Sequence, residues 1–178
     1  SYGLYVYGAN DVDLDTLVAT DNTMSASYYG IYSRYTKYSK IHDNVINSTS
    51  TSSFGLRAIY AYYHSYGVDI QDNQVNDADY ACYVYGTGPV ADGYLQNKAV
   101  ISNNHFEGGR YGLYLYASSS SLYGKWTDVT IENNTLELWG SSYNYGIRMS
   151  YIYADSTNRA TIQNNMISLN TTSSTGTL

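Results

Sequence analysis

Two short patterns of apolar and polar positions alternate along the chain. The first reads aromatic, small, aliphatic, then Tyr or Arg. It occurs as Tyr2-Gly3-Leu4-Tyr5, Tyr29-Gly30-Ile31-Tyr32, Phe54-Gly55-Leu56-Arg57, Tyr80-Ala81-Cys82-Tyr83, Tyr111-Gly112-Leu113-Tyr114 and Tyr145-Gly146-Ile147-Arg148. The second reads apolar, any, Asn or Asp, Asn, any, apolar. It spans 19–24, 41–46, 70–75, 101–106, 131–136 and 162–167, and its last Asn falls at Asn22, Asn44, Asn73, Asn104, Asn134 and Asn165. The small residues of successive first anchors lie 27, 25, 26, 31 and 34 positions apart, enough for a few short strands and their turns. One such unit cannot bury its own apolar face, but a stack of them forms a continuous core.

The spacing predicts which positions face in. Within Tyr-Gly-Leu-Tyr-Val-Tyr the period is two, so Leu4 and Val6 share a face. The matching inward pairs are Ile31/Ser33, Leu56/Ala58, Cys82/Val84, Leu113/Leu115 and Ile147/Met149. The second anchor adds Ile41/Ile46, Ile70/Val75 and Ile131/Leu136. Its Asn stands at a sharp bend, tolerates left-handed geometry there, and can bond the equivalent Asn of the next unit as a structural ladder.

The alternation of I-x-N-N-x-I with Y-G-I/L-Y resembles the parallel β-helix repeats of the pectate-lyase-like superfamily, and most of all the degenerate NosD-like repeats of carbohydrate-binding and sugar-hydrolase proteins. The resemblance covers essentially the whole chain. It implies an all-β fold, a right-handed single-stranded parallel β-helix of about six coils, with residues 1–178 as one domain of a longer chain or repeating assembly. It implies little about function, because that fold hosts lyases, hydrolases, epimerases, tailspikes and adhesins.

Composition narrows the function classes. Of 178 residues, 24 are Tyr against two Phe and two Trp, an excess the generic repeat does not need. Only 13% are charged and the net charge is −6, which argues against nucleic acid and anionic membranes as partners. No run of 18 apolar residues is present, so membrane insertion is not expected. Cys82 is the one cysteine, which excludes an internal disulfide and a cysteine zinc site. Low Lys with abundant Ser, Thr, Asn and Tyr points to an extracellular or cell-surface setting. The sequence starts inside a strand anchor, ends in a Thr/Ser-rich tail and lacks a capping helix pattern, which leads us to expect association of bare sheet edges.

Candidate chemistry gathers on the outward side of the first anchor. One column reads Tyr5, Tyr32, Arg57, Tyr83, Tyr114 and Arg148, and the next Tyr7, Arg34, Ile59, Tyr85, Tyr116 and Ser150. Such rings and guanidinium groups can stabilise the sheet by stacking on each other, contact a second copy or another surface protein, or stack on polysaccharide. Insertions at 86–93, 118–125 and 151–158 share one arc and should build one flank. Asp11, Asp13 and Asp15 alternate, and calcium is the one ion they would suit, although solvated charge is the simpler reading. His42, His64 and His105 sit singly and suggest no metal site. No cofactor is expected. Arg57, Arg148 and Lys125 are the only candidate bases, and none has an acidic cluster beside it, so no catalytic residue is assigned. The expected function is therefore a structural or adhesive extracellular module, self-assembling or glycan-binding through the Tyr/Arg face. The alternative is the repeat region of a polysaccharide lyase, hydrolase or tailspike.

Overall fold

A computed structural model describes residues 1–8, 14–51, 55–86, 97–117, 126–140, 144–152, 157 and 159–171. Every named strand pairing in it is parallel, and the register is kept along the anchors, with shifts between Thr36 and Tyr38, Tyr62 and His64, Val75 and Tyr80, and Trp126 and Asp128. The chain winds as a solenoid with three sheets, several strands bending from one sheet into the next. Sheet one holds β1 (Tyr2–Tyr7), the first halves of β4 (Tyr29–His42) and β6 (Arg57–Gln71), the second halves of β7 (Gln74–Gly86) and β9 (His105–Ala117), and β12 (Tyr145–Ser150). Sheet two holds β2 (Leu14–Thr20), the second halves of β4 and β6, then β8 (Asn97–Ser102), β10 (Trp126–Glu132) and β13 (Ala160–Gln163). Sheet three holds β3 (Thr23–Ala26), β5 (Val45–Ser48), the first halves of β7 and β9, β11 (Thr135–Gly140) and β14 (Met166–Thr171).

The second anchor turns the chain from sheet two into sheet three as its spacing suggests. Ala19, Ile41, Ile70, Ile101, Ile131 and Ile162 form one register column, and Met24, Ile46, Val75, Phe106, Leu136 and Ile167 another. The left-handed residue at the bend is not the ladder Asn. It is the residue before it, Asp21, Asp43, Asp72, Asn103, Asn133 and Asn164, with φ between 54° and 57°. Asp and Asn tolerate that region because their short side chains bond locally. Each bend is then freed to aim the following Asn inward.

The Asn ladder is continuous. The side-chain amides donate from Asn22 to Asn44, Asn44 to Asn73, Asn73 to Asn104, Asn104 to Asn134 and Asn134 to Asn165, at 2.9–3.0 Å. Each acceptor oxygen also takes the backbone N–H of the preceding Asn at 3.0–3.1 Å. The same amide nitrogen reaches back to the preceding coil, as from Asn104 to the Ile70 carbonyl at 2.9 Å. Asn44, Asn73, Asn104 and Asn134 are buried, so these bonds act where water cannot substitute for them.

The first anchor fills the core from sheet one. Leu4, Ile31, Ile59, Cys82, Leu113 and Ile147 share a column, followed by Val6, Ser33, Ala61, Val84, Leu115 and Met149. The third coil differs from expectation by three residues. Arg57-Ala58-Ile59-Tyr60 occupies the rung, not Phe54-Gly55-Leu56-Arg57, whose Phe54 lies outside the described residues. Gly55 has φ +57° and belongs to the turn before the rung, while Leu56 is fully buried at the corner. Ile59 is therefore a core residue with no exposed surface rather than an outward one. The small position of the anchor has a steric cause. A Cβ on Gly112 would stand 2.4 Å from a Leu136 methyl and 2.8 Å from the Gly146 carbonyl oxygen.

The ladder yields a stability prediction. Asn104→Ala strips acceptors and donors from buried partners in both adjacent coils, and should cost about 3 kcal/mol at about 1–3 kcal/mol per buried group left unsatisfied. Asn22→Ala, at an exposed position, should cost about 1 kcal/mol or less by the same reasoning. Denaturant melts of the two variants measure the difference; equal losses would mean that the ladder is not a buried network.

Candidate binding face

Sheet one turns its tyrosines outward in three columns. The register gives Tyr2, Tyr29, Arg57, Tyr80, Tyr111 and Tyr145 in the first, and Tyr5, Tyr32, Tyr60, Tyr83, Tyr114 and Arg148 in the second. The third reads Tyr7, Arg34, Tyr62, Tyr85, Tyr116 and Ser150. Of the twelve places expected for the second and third columns, the register keeps ten; those of Arg57 and Ile59 go to Tyr60 and Tyr62. Arg57 instead interrupts the first column. Tyr60 and Tyr62 were missed because Phe54-Gly55-Leu56-Arg57 imitates the anchor. The signal that finds them is the longer alternation Arg57-Ala58-Ile59-Tyr60-Ala61-Tyr62, which matches the six-residue pattern of the other coils.

The rings lie face to face along the solenoid axis. Tyr5–Tyr32, Tyr32–Tyr60 and Tyr60–Tyr83 stack at 4.6, 5.7 and 4.7 Å with planes within 8° of parallel. Tyr62–Tyr85 and Tyr85–Tyr116 stack at 4.8 and 5.0 Å, and Tyr80–Tyr111 at 4.5 Å. The rung spacing of about 4.8 Å in a parallel sheet imposes this, since in-register rings have no room except on each other. The columns consequently show solvent their ring edges and hydroxyls. Of the readings open from sequence, stacking of the rings on each other is the one these contacts show directly.

Four arginines sit among the rings, one of them Arg110, 5.5 Å from the Tyr80 ring. Arg34 lies 4.7–5.3 Å from the rings of Tyr7, Tyr35 and Tyr62 and donates to the Tyr35 hydroxyl at 2.9 Å. Arg57 lies 5.5–5.8 Å from Tyr28, Tyr29, Tyr60 and Tyr80 and donates to the Tyr29 hydroxyl at 2.7 Å. Arg148 covers Tyr114 and Tyr145 at 4.8 and 5.0 Å. Cation–π contacts of this kind contribute about 0.5–2 kcal/mol each.

The second column breaks at one step. Tyr114 stands at 89° to Tyr83 and instead lies parallel to Tyr111, within 14° at 5.5 Å. Beside this break a cleft of about 270 Å³ opens, lined by Arg57, Tyr60, Tyr80, Tyr83 and Tyr114. It offers four phenol groups and one guanidinium group to a ligand.

A family model described as a right-handed β-helix region matches residues 1–136. The chain belongs to the right-handed β-helix family. Neither a curated protein nor a solved structure matches this β-helix.

Elsewhere on the β-helix, the expected candidates that fall among the described residues lie apart from one another. Asp11, Asp13 and Lys125 lie outside the described residues, as does most of the insertion flank. Asp15 is exposed and pairs with Lys37 at 2.7 Å. His42 stands 3.2 Å from Asp69 on sheet two. Among the described residues no three metal-binding side chains cluster. Cys82 is buried in the core, and burial pushes its thiol up.

The packed phenols hold their protons tightly. Burial pushes the Tyr29 hydroxyl up to about 12, against the opposing pull of the Arg57 guanidinium. Burial likewise raises Tyr32, Tyr60, Tyr80 and Tyr83. Tyrosines of the unfolded chain ionise near pH 10, before these folded ones. The unfolded state therefore releases protons first, and the stability present below about pH 10 falls as pH rises towards 12. Phenolate absorbance should show a late-titrating group of tyrosines, with denaturant midpoints dropping over the same interval. A single titration near pH 10, with the fold intact throughout, would contradict the burial of these rings.

Proposed function

We propose that this β-helix is a non-enzymatic, extracellular carbohydrate-binding module that holds a polysaccharide along the Tyr/Arg face of sheet one. The cleft beside the broken Tyr83–Tyr114 step carries the reading. A sugar ring presents an apolar C–H face and a rim of hydroxyls, and the cleft offers ring surface, phenol hydroxyls and the Arg57 guanidinium within one small volume. Its volume of about 270 Å³ lies just below the roughly 300–1,000 Å³ of drug-sized sites. It is a subsite for a sugar unit of a longer chain. The repeated ring edges and hydroxyls above and below it extend the contact along the axis. The low-charge, Ser/Thr/Asn/Tyr-rich composition suits an extracellular setting.

Affinity electrophoresis through gels containing neutral and acidic polysaccharides tests this reading. At least one polymer should retard the wild-type chain. Tyr83→Ala should weaken that retardation about tenfold, which corresponds to about 1.4 kcal/mol. Thr130→Ala, on sheet two, should leave it unchanged. A wild-type chain that no polysaccharide retards would overturn the proposal. Release of reducing or unsaturated ends from a bound polymer, abolished by Arg148→Ala, would convert the module into an enzyme.

A further inference from the structure

The tyrosines of sheet one form one connected ring network. From Tyr32 the contacts run through Tyr60, Tyr62, Tyr85, Tyr116, Tyr114 and Tyr111 to Tyr80, with centroid separations of 4.5–5.8 Å at every step. A phenol gives up an electron and a proton together to become a neutral phenoxyl radical. A neighbouring phenol in ring contact can restore it by giving up its own hydrogen, so an oxidising equivalent that enters anywhere can move through the network. Two adjacent phenoxyl radicals then join through the ring carbons next to oxygen. Cys82, the most oxidisable competitor by chemistry, faces the core with no exposed surface and does not intercept the equivalent from solution.

We propose that Tyr80 and Tyr111 form an oxidative cross-linking site, where a peroxide-driven one-electron oxidant closes a dityrosine bridge between consecutive coils. Their rings are 4.5 Å apart and within 16° of parallel, and their Cα atoms are direct register partners on β7 and β9. Tyr80 also lines the cleft, which gives its ring room to turn as the bond forms. The bridge falls at the step where the neighbouring column loses its stacking, between Tyr83 and Tyr114. It therefore adds a covalent tie at a step where one of the three columns loses its stacking. In the balanced reaction, hydrogen peroxide and two phenols give one dityrosine and two waters. Each phenol loses one electron and one proton, the new bond joins two ring carbons, and the displaced ring hydrogens return to the oxygens.

The folded chain is oxidised with a haem peroxidase and hydrogen peroxide, then digested and mapped by mass spectrometry. The expected product is a linked peptide pair containing Tyr80 and Tyr111, lighter by two hydrogen atoms and more abundant than any other linked pair. It should arise in protein that still migrates as a single chain and melts at a higher temperature than before. Tyr80→Phe keeps the ring and should abolish this pair, and oxidation in guanidinium chloride should remove its preference. The proposal is overturned if the folded chain gives the same scatter of links as the unfolded one, if links form only between chains, or if Tyr80→Phe leaves the pattern intact.

Discussion

The in-register rung of the Asn ladder is the constraint on which the rest of the molecule depends. One amide at each bend accepts from the coil before, donates to the coil after, and ties back to a carbonyl of the preceding coil. A slip of a single residue would break this network in a buried environment, where each unsatisfied group costs about 1–3 kcal/mol. The ladder therefore holds every coil at the same rotation. With that rotation set, apolar side chains of adjacent coils must fall on one another, and so must the outward tyrosines.

The character of the surface follows from the same constraint. Side chains repeated about every 4.8 Å along a parallel sheet either stack or clash. Aromatic rings stack, and the arginines at Arg34, Arg57 and Arg148 enter the columns because a planar guanidinium group packs on rings nearly as a ring does. Tyr serves better than Phe here because its edge and hydroxyl meet water while its faces are covered. The cleft arises where two demands on Tyr114 conflict. It cannot lie flat on both Tyr83 and Tyr111, and with Arg148 covering it, it takes Tyr111.

The second anchor was legible in the sequence because one short motif performs two tasks, a left-handed bend and an inward amide, and few residues other than Asp and Asn do either. Even so, the sequence pattern does not say which of the two adjacent residues bends, and the structure assigns the bend to Asp21, Asp43, Asp72 and their equivalents. The first anchor was less secure because aromatic-small-aliphatic is a weaker demand. Phe54-Gly55-Leu56-Arg57 satisfies it locally, yet the core needs a second inward residue followed by an outward ring, which only Ile59, Ala61 and Tyr62 supply. The columns could be read from spacing, but the turn of Tyr114 away from Tyr83 could not. It depends on the competition among Tyr83, Tyr111 and Arg148 in three successive coils.

Native-state hydrogen exchange of the ladder amides tests the central claim most directly. The backbone N–H groups of Asn44, Asn73, Asn104 and Asn134 each donate to an Asn oxygen of the following coil, so they should exchange only through global unfolding. Their exchange free energies should equal the unfolding free energy of the whole chain. Exchange of these four amides at the rate of surface turns, while the apolar core strands stay protected, would show that the ladder does not hold the coils in register.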